Sequence, residues 1–160
     1  MKIHFICVGN INRSASAEIV MKKMLAARNI TDIEVTSSGL NGKNGCMLTK
    51  GMHHRLGLAG YDTERRRSVA ITKEILTDVD HIVYMQPVNL KRLNTMFGDE
   101  FNHKAWIMTR FTDGLDIVAD PHFDGSHEAC LNNIIKCSGD IINNLGTLND
   151  ERLARSTESS

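Results

Sequence analysis

Residues 2–20, KIHFICVGNINRSASAEIV, contain the change of pattern that decides the fold. Residues 2–8 form a nearly unbroken apolar run with β-branched and aromatic side chains, which is typical of a strand buried on both faces. From about Ser14 onward the apolar residues fall at helical spacing instead. Gly9-Asn10, a pair that tolerates positive φ, lies between the two patterns. The stretch therefore predicts a strand, a tight loop and a helix in direct succession.

The same alternation of strand and helix continues along the chain. Further strands are predicted at 31–37, 81–85 and 105–108, and further helices at about 47–57, 72–78, 88–97 and 124–145. Strands that alternate with helices are typical of a parallel sheet covered on both faces. We therefore expect an α/β fold, a three-layer sandwich with a four-stranded parallel sheet, over residues 1–146. Residues 147–160 are expected to form a polar, frayed C-terminal tail.

The composition excludes several classes of protein. With 19 Lys and Arg against 19 Asp and Glu, the chain lacks the basic excess usual for proteins that bind nucleic acid or membrane surfaces. No apolar run approaches the roughly 18 residues of a membrane span, and residues 1–8 are too short for a secretory signal. The 4 irregularly spaced Cys do not form the pattern of a disulfide scaffold. We expect one soluble cytoplasmic domain, a monomer or weak dimer, without nucleic acid or membrane as partner.

The loop after the first strand is the predicted place for chemistry, because ligands of parallel sheets bind at the carboxyl ends of strands. Its residues are Cys7, Val8, Gly9, Asn10, Ile11, Asn12, Arg13 and Ser14. Backbone N–H groups at the start of a helix converge on one point, which suits a phosphate dianion. Arg13 adds a planar fork of donors for two phosphate oxygens. The same surroundings favour an ionised thiol, so Cys7 is expected to be a thiolate nucleophile that Ser14 hydrogen-bonds.

The motif Cys-x5-Arg-Ser at Cys7–Ser14, continued as Ala17-Glu18, resembles the signature of the low-molecular-weight protein tyrosine phosphatases. Other blocks are similar to that family in the same order, and they are residues 35–39, 82–85, 89–90 and Asp120-Pro121. The likeness covers most of the chain and is greatest to the short bacterial branch. It implies a flavodoxin-like (phosphotyrosine phosphatase I-like) fold. It also implies hydrolysis of phosphotyrosine on a protein substrate through a cysteinyl-phosphate intermediate.

The resemblance assigns roles to individual residues. It implies that Cys7 is the nucleophile and Arg13 the phosphate clamp. Asp120 would be the general acid that protonates the leaving phenolate and later activates water. Ser37 is expected to hydrogen-bond Asn10 and hold it in a left-handed conformation. The wall of the substrate pocket is assigned to three side chains, Leu40, His122 and Phe123, and neither a metal nor a cofactor is implied.

Several positions depart from the family's pattern. Asn12 stands where many members carry a second cysteine. Arg66 stands at the position of a loop-supporting histidine, and Gln86 at that of an aspartate after the third strand. His122-Phe123 replaces the usual aromatic pair after Asp-Pro. These departures leave the phosphoryl chemistry intact and leave the substrate preference open.

Three other interpretations stay open at the level of sequence. Thioredoxin-coupled arsenate reductases share the scaffold and the Cys-x5-Arg loop, but they need two further cysteines after the second helix, and residues 72–92 contain none. Phosphocarriers of the sugar-transport IIB type have a cysteine after the first strand but lack the arginine and the Asp-Pro acid. A phosphate-binding module with weak turnover would retain the loop alone. Turnover of an aryl phosphate separates an enzyme from a binding module.

Overall fold

The computed structural model describes residues 1–63, 65–121 and 125–158. Parallel strands form one sheet, and they are β1 (Lys2–Cys7), β2 (Glu34–Gly39), β3 (His81–Tyr84) and β4 (Ala105–Ile107). Their order is β2-β1-β3-β4. Because β2 and β3 lie on opposite sides of β1, the carboxyl end of β1 is the point where the strand order reverses. The predicted α/β fold with a four-stranded parallel sheet is confirmed.

Helices cover both faces of this sheet. They are α1 (Arg13–Ala27), α2 (Lys50–Leu58), α3 (Lys73–Asp78), α4 (Pro87–Phe97), α5 (His127–Ile142) and α6 (Leu145–Glu158), with a short 3-10 turn at Asn102–Lys104. One core lies between the sheet and α1, α2 and α5, and a second core lies between the sheet and α3 and α4. Ile3 and Phe5 of β1 face the first core, whereas Ile6 faces the second. The unbroken apolar run of β1 follows from these two buried faces.

The second strand begins and ends later than the sequence predicts. Its pairing with β1 runs from Lys2 opposite Glu34 to Cys7 opposite Gly39. β1 begins only at Lys2, so the residues before Glu34 have no neighbouring strand with which to form a ladder. The predicted strand at 31–37 is therefore displaced to Glu34–Gly39, and its last residue lies beside the end of β1.

The prediction of a frayed tail is wrong for residues 147–158, because α6 spans Leu145–Glu158. Leu148 is fully buried in the first core, and its carbonyl oxygen lies 2.9 Å from His81 Nε2. Arg155 donates to the carbonyl oxygen of Asp80 at 2.6 Å. The folded domain therefore extends through α6. No helix in the described residues is long and apolar enough to span a membrane.

Candidate active site

The loop between β1 and α1 directs its backbone donors to one side. The carbonyl oxygens of Cys7, Val8 and Ile11 accept hydrogen bonds from the N–H groups of residues 40, 41 and 49. In a trans peptide the N–H points away from the carbonyl oxygen, so the N–H groups of residues 8, 9 and 12 point away from these three partners. The start of α1 carries no acidic residue and no side-chain cap. Both features leave the helix N-terminus available to an anion.

Cys7 lies at the base of this loop and is 3% exposed. Its Sγ is 2.9 Å from the hydroxyl oxygen of Ser14 and accepts the backbone N–H of Ser14 at 3.4 Å. The backbone and the side chain of Ser14, in the first turn of α1, therefore both contact the sulfur. The predicted contact between Ser14 and the sulfur is present.

Arg13 is held by two groups from the segments that follow β3 and β4. Its Nη1 donates to Gln86 Oε1 at 2.6 Å and to the carbonyl oxygen of Val118 at 3.0 Å. The N–H of Val118 in turn donates to the carbonyl oxygen of Met85 at the end of β3. Asp120 follows two residues later, and its Oδ2 lies 3.6 Å from Arg13 Nη2. One anchored segment thus positions both the guanidinium and the carboxylate.

Asn10 has a positive φ of 58° and is almost completely buried. Its amide nitrogen donates to Ser37 Oγ at 2.9 Å and to Ser14 Oγ at 2.8 Å. Its amide oxygen accepts from Arg66 Nη2 at 2.7 Å and from the N–H of Val69 at 2.8 Å. The predicted bond between Asn10 and Ser37 is present. These four hydrogen bonds hold the left-handed conformation, which is otherwise uncommon for a residue with a side chain.

The end of β2 approaches the loop so closely that only glycine fits. A Cβ placed on Gly39 would lie 2.8 Å from the carbonyl carbon of Gly9 and 3.0 Å from the backbone nitrogen of Asn10. Both distances are too short for a side chain, and both target atoms belong to the main chain of the loop. Gly39 therefore allows β2 to support the loop from behind, which places Ser37 in reach of Asn10.

Asn12, which stands where many family members carry a second cysteine, is hydrogen-bonded by a residue of the α2 N-terminus. Thr49, the N-cap of α2, donates its hydroxyl proton to Asn12 Oδ1, and its Oγ1 also lies 3.5 Å from His127 Nε2. The ring of His127 packs against Gly51 so closely that a Cβ at residue 51 would lie only 2.5 Å from its Nδ1. The loop is therefore braced from the α2 side as well, through a residue that the sequence analysis did not single out.

The three predicted catalytic side chains border one cavity of about 180 Å³. The cavity is lined by Cys7, Val8, Gly9, Ile11, Asn12, Arg13, Asn41 and Asp120. Asn41 of this lining was not predicted from the sequence, and neither was Val118, which contributes to the site only through its backbone. Because the support from Val118 involves a main-chain carbonyl group, no side-chain signal in the sequence could identify it.

One residue of the predicted substrate wall lies away from the cavity. Leu40 does not line the cavity, and this part of the prediction is wrong, because its side chain is 2% exposed and packs beside Ile6 and Ile82 in the second core. The next residue, Asn41, borders the cavity instead. His122 and Phe123 lie outside the described residues.

Burial shifts two titratable groups behind the loop. The pKa of His4 falls to about 4, chiefly because the ring is buried and secondly because Arg66 is nearby. Burial also lowers the pKa of Arg66, while Glu18 and Cys7 act in the opposite direction. An arginine nevertheless keeps its charge throughout the physiological range. The back of the loop thus holds a neutral imidazole and a cation.

A thiol, a guanidinium and a carboxyl group around a helix N-terminus define a class of site in which sulfur acts on a bound tetrahedral anion. The family model described as "Low molecular weight phosphotyrosine protein phosphatase" matches residues 2–155. The chain belongs to this family, and the resemblance and enzyme class predicted from the sequence are confirmed.

Individual relatives agree with this assignment. The chain is 27% identical over 144 residues to the low molecular weight protein-tyrosine-phosphatase PtpA of Staphylococcus saprophyticus. The match covers 88% of this chain and 91% of that protein. It is 28% identical over 151 residues to the low molecular weight phosphotyrosine protein phosphatase of Sus scrofa. This match covers 83% of this chain and 88% of the relative.

Solved structures show the same fold. The structure of YfkJ from Bacillus subtilis matches with a TM-score of 0.85 at 22% identity and covers 92% of this chain and 95% of that chain. The YwlE arginine phosphatase from Geobacillus stearothermophilus matches with a TM-score of 0.80 at 22% identity. This match covers 91% of this chain and 93% of that chain. The predicted flavodoxin-like architecture is thus shared with both.

Proposed function

We propose that this member of the family hydrolyses phosphotyrosine on protein substrates, with Cys7 as nucleophile, Arg13 as phosphate clamp and Asp120 as acid and base. The observation that carries the proposal is that all three side chains border the same cavity at the carboxyl end of β1. The cavity also includes the N-terminus of α1, which suits a dianion. All assigned residues come from one chain, which is compatible with a monomer or weak dimer.

In the first step the Cys7 sulfur attacks phosphorus and the bond from phosphorus to the phenolic oxygen breaks. Asp120, in its protonated form, gives its proton to that oxygen, so tyrosine leaves neutral. The guanidinium of Arg13 binds two of the equatorial oxygens, where negative charge is concentrated during transfer. The products of this step are the dephosphorylated tyrosine residue of the substrate protein and a phosphocysteine.

In the second step the Asp120 carboxylate takes a proton from water, and the water oxygen attacks phosphorus. The sulfur–phosphorus bond breaks, and inorganic phosphate and the Cys7 thiolate are regenerated. Ser14 stabilises the departing thiolate, since its hydroxyl oxygen is 2.9 Å from the sulfur. Asp120 ends the cycle protonated, so acid and base roles alternate on one residue.

We place this reaction in the cytoplasm. Cys7, Cys46 and Cys137 carry free thiols, and a nucleophilic thiolate persists in a reducing compartment. Val8 and Ile11 give the cavity apolar surface beside its polar base, which suits the ring of a phosphotyrosine more than a short aliphatic phosphate ester.

The test is turnover of p-nitrophenyl phosphate in the presence of a chelator, followed by phosphotyrosine, phosphoserine and phosphoarginine peptides at one concentration. We expect turnover with an acidic optimum, inhibition by vanadate and phosphate, and preference for the phosphotyrosine peptide. Cys7→Ser should lose turnover while retaining phosphate binding, and Cys46→Ser is the matched control. Full activity in Cys7→Ser refutes the nucleophile assignment.

Arg13→Lys distinguishes a clamp from a simple positive charge. A lysine keeps the charge but cannot bind two oxygens in one plane, so we expect a severe loss of turnover with Arg13→Lys. Arsenate reduction with a thiol donor, without aryl phosphate turnover, would favour the arsenate reductase interpretation. Phosphate binding without either activity would favour a binding module.

A further inference from the structure

Asn12 stands at the N-cap position of α1 but does not cap the helix. An asparagine at this position ordinarily uses its side-chain oxygen to accept the backbone N–H of the second or third helical residue. In α1 these residues are Ser14 and Ala15, and the side chain of Asn12 bonds neither of them. The first turn of α1 is therefore not covered by the asparagine that begins it.

Thr49 binds the oxygen that would otherwise cap α1. Its hydroxyl proton is donated to Asn12 Oδ1. As the N-cap of α2, Thr49 also accepts the backbone N–H of Met52 on its Oγ1 at 3.4 Å. Asn12 Oδ1 is thus directed to α2 and away from the first turn of α1. One threonine caps its own helix and keeps the N-terminus of the other helix open.

The amide nitrogen of Asn12 is left for the cavity. Asn12 is only 7% exposed, and it borders the cavity together with Cys7 and Arg13. Within residues 1–63, 65–121 and 125–158, no group accepts a hydrogen bond from Asn12 Nδ2. This nitrogen is also not among the fully buried polar atoms that lack a partner. The small exposed area of Asn12 therefore includes Nδ2, and it opens into the cavity.

The reverse orientation of the Asn12 carboxamide is unfavourable for two reasons. A hydroxyl can donate or accept, so in the reverse orientation Asn12 Nδ2 would donate to Thr49. The proton of Thr49 would then have only His127 Nε2 as acceptor, at 3.5 Å, which is longer than the roughly 3.2 Å of ordinary hydrogen bonds. The reverse orientation would also direct the carboxamide oxygen at a bound dianion, and the two negative partners repel.

We propose that Asn12 donates a side-chain N–H to an oxygen of the bound phosphate group, and that Thr49 is the positioning residue that directs it there. This inference rests on the phosphate site of the proposed function. Phosphate then receives donors from the loop backbone, from the guanidinium of Arg13 and from the carboxamide of Asn12. The cysteine that many family members carry at this position is only a weak donor, so the asparagine adds a contact. Hydrogen bonds to a charged acceptor are stronger than those between neutral groups.

Calorimetric titration of the full chain with inorganic phosphate measures this contact without turnover. Asn12→Ala removes the donor. Thr49→Val removes the hydroxyl group while keeping the shape of the side chain, and Thr49→Ser keeps the hydroxyl group. Thr72→Val is the matched control, because Thr72 is the N-cap of α3 and accepts the backbone N–H of Ile75 at 3.1 Å, as Thr49 accepts that of Met52.

We expect Asn12→Ala to raise the Kd for phosphate by about tenfold, the lower end of what a hydrogen bond to a charged group contributes. Thr49→Val should raise it by about fivefold, because the released Asn12 oxygen can then cap α1 in competition with phosphate. Thr49→Ser should bind phosphate as the parent does. Thr49→Val and Thr72→Val both lose a cap and should both melt at a lower temperature, but Thr72→Val should keep the parent Kd.

The double variant Asn12→Ala/Thr49→Val separates positioning from a purely structural role. Without the carboxamide Thr49 has nothing to direct, so the double variant should bind phosphate as Asn12→Ala does. An additional loss as large as that of Thr49→Val alone would overturn the positioning role. A parent-like Kd in either Asn12→Ala or Thr49→Val overturns the proposal, so one folded variant of the two suffices for the test. If the Kd values change as expected but the parent shows no aryl phosphate turnover, the proposed function fails and the Asn12 assignment stands.

Discussion

His4 makes the stability of this fold depend on acidity. The ring is 1% exposed, with Nδ1 2.6 Å from Thr36 Oγ1 and Nε2 2.7 Å from Ser38 Oγ. Burial, aided by the charge of Arg66, lowers the pKa of His4 from 6.5 to about 4. Both ring nitrogens are already paired inside the protein, so a second proton would also disturb the contact between β1 and β2.

The sign of the effect follows from proton binding. Because the pKa of His4 is lower in the folded chain, the unfolded chain binds the proton first as the pH falls. The contribution of His4 is complete above about pH 6.5 and is lost between pH 6.5 and pH 4. A difference of about 2.5 pKa units, at 1.36 kcal/mol each, amounts to about 3 kcal/mol of unfolding free energy. This is a large part of the roughly 5–15 kcal/mol typical of a domain.

The assay is urea unfolding between about pH 7.5 and pH 4.5 for the parent, His4→Gln and His54→Gln. His54 is exposed and serves as the control for removal of a histidine. We expect the loss of unfolding free energy over this range to be about 2–3 kcal/mol smaller in His4→Gln than in the parent, while His54→Gln follows the parent. Parallel curves for His4→Gln and the parent would refute the reasoning.

Three further changes test the catalytic acid, the loop support and the C-terminal helix. Asp120→Asn should slow turnover of esters with poor leaving groups by about 10²- to 10⁴-fold and that of p-nitrophenyl phosphate far less; equal losses across a leaving-group series would remove its role as acid. Gly39→Ala should weaken phosphate binding in calorimetry and destabilise the fold by about 1–3 kcal/mol, whereas Gly57→Ala, whose Cβ meets no neighbour, should do neither. Leu148→Ala should cost about 2–5 kcal/mol in urea unfolding. Leu153→Ala, at a half-exposed site of the same helix, is its control, and a similar small cost in both would mean that α6 is not anchored through the core.

The sequence predicts the βαβ core well because burial on both faces leaves a local record. Ile3 and Ile6 face different cores, and the alternation of such residues produces the apolar run from which β1 is recognised. The helix α6 leaves no comparable record. It is anchored through the Leu148 carbonyl group near His81, 67 residues away, and through Arg155, which bonds a residue 75 positions away. A polar segment whose partners are distant in sequence has the same local pattern as a disordered tail, so the sequence does not distinguish the two.

The candidate site likewise contains residues that could be predicted from the sequence and residues that could not. Cys7, Arg13 and Asp120 could be predicted because a strand end, a helix start and an Asp-Pro pair are local patterns. The groups that hold Arg13 could not, since one is the carbonyl oxygen of Val118 and the other is the neutral side chain of Gln86, the N-cap of α4. The geometry at Asn41 also depends on the turn after β2, where the preceding side chain enters the second core.

The departure at Gln86 affects the charge that Arg13 presents to the substrate. Gln86 orients Arg13 through a neutral oxygen, whereas the aspartate of the family's pattern would oppose part of the guanidinium charge. The carboxyl group of Asp120 lies 3.6 Å from the same guanidinium, and in the proposed mechanism it is neutral when the dianion binds. Arg13 therefore presents its full charge to the substrate. Once Asp120 has protonated the leaving oxygen, that guanidinium stabilises the new carboxylate, which is the form required to activate water.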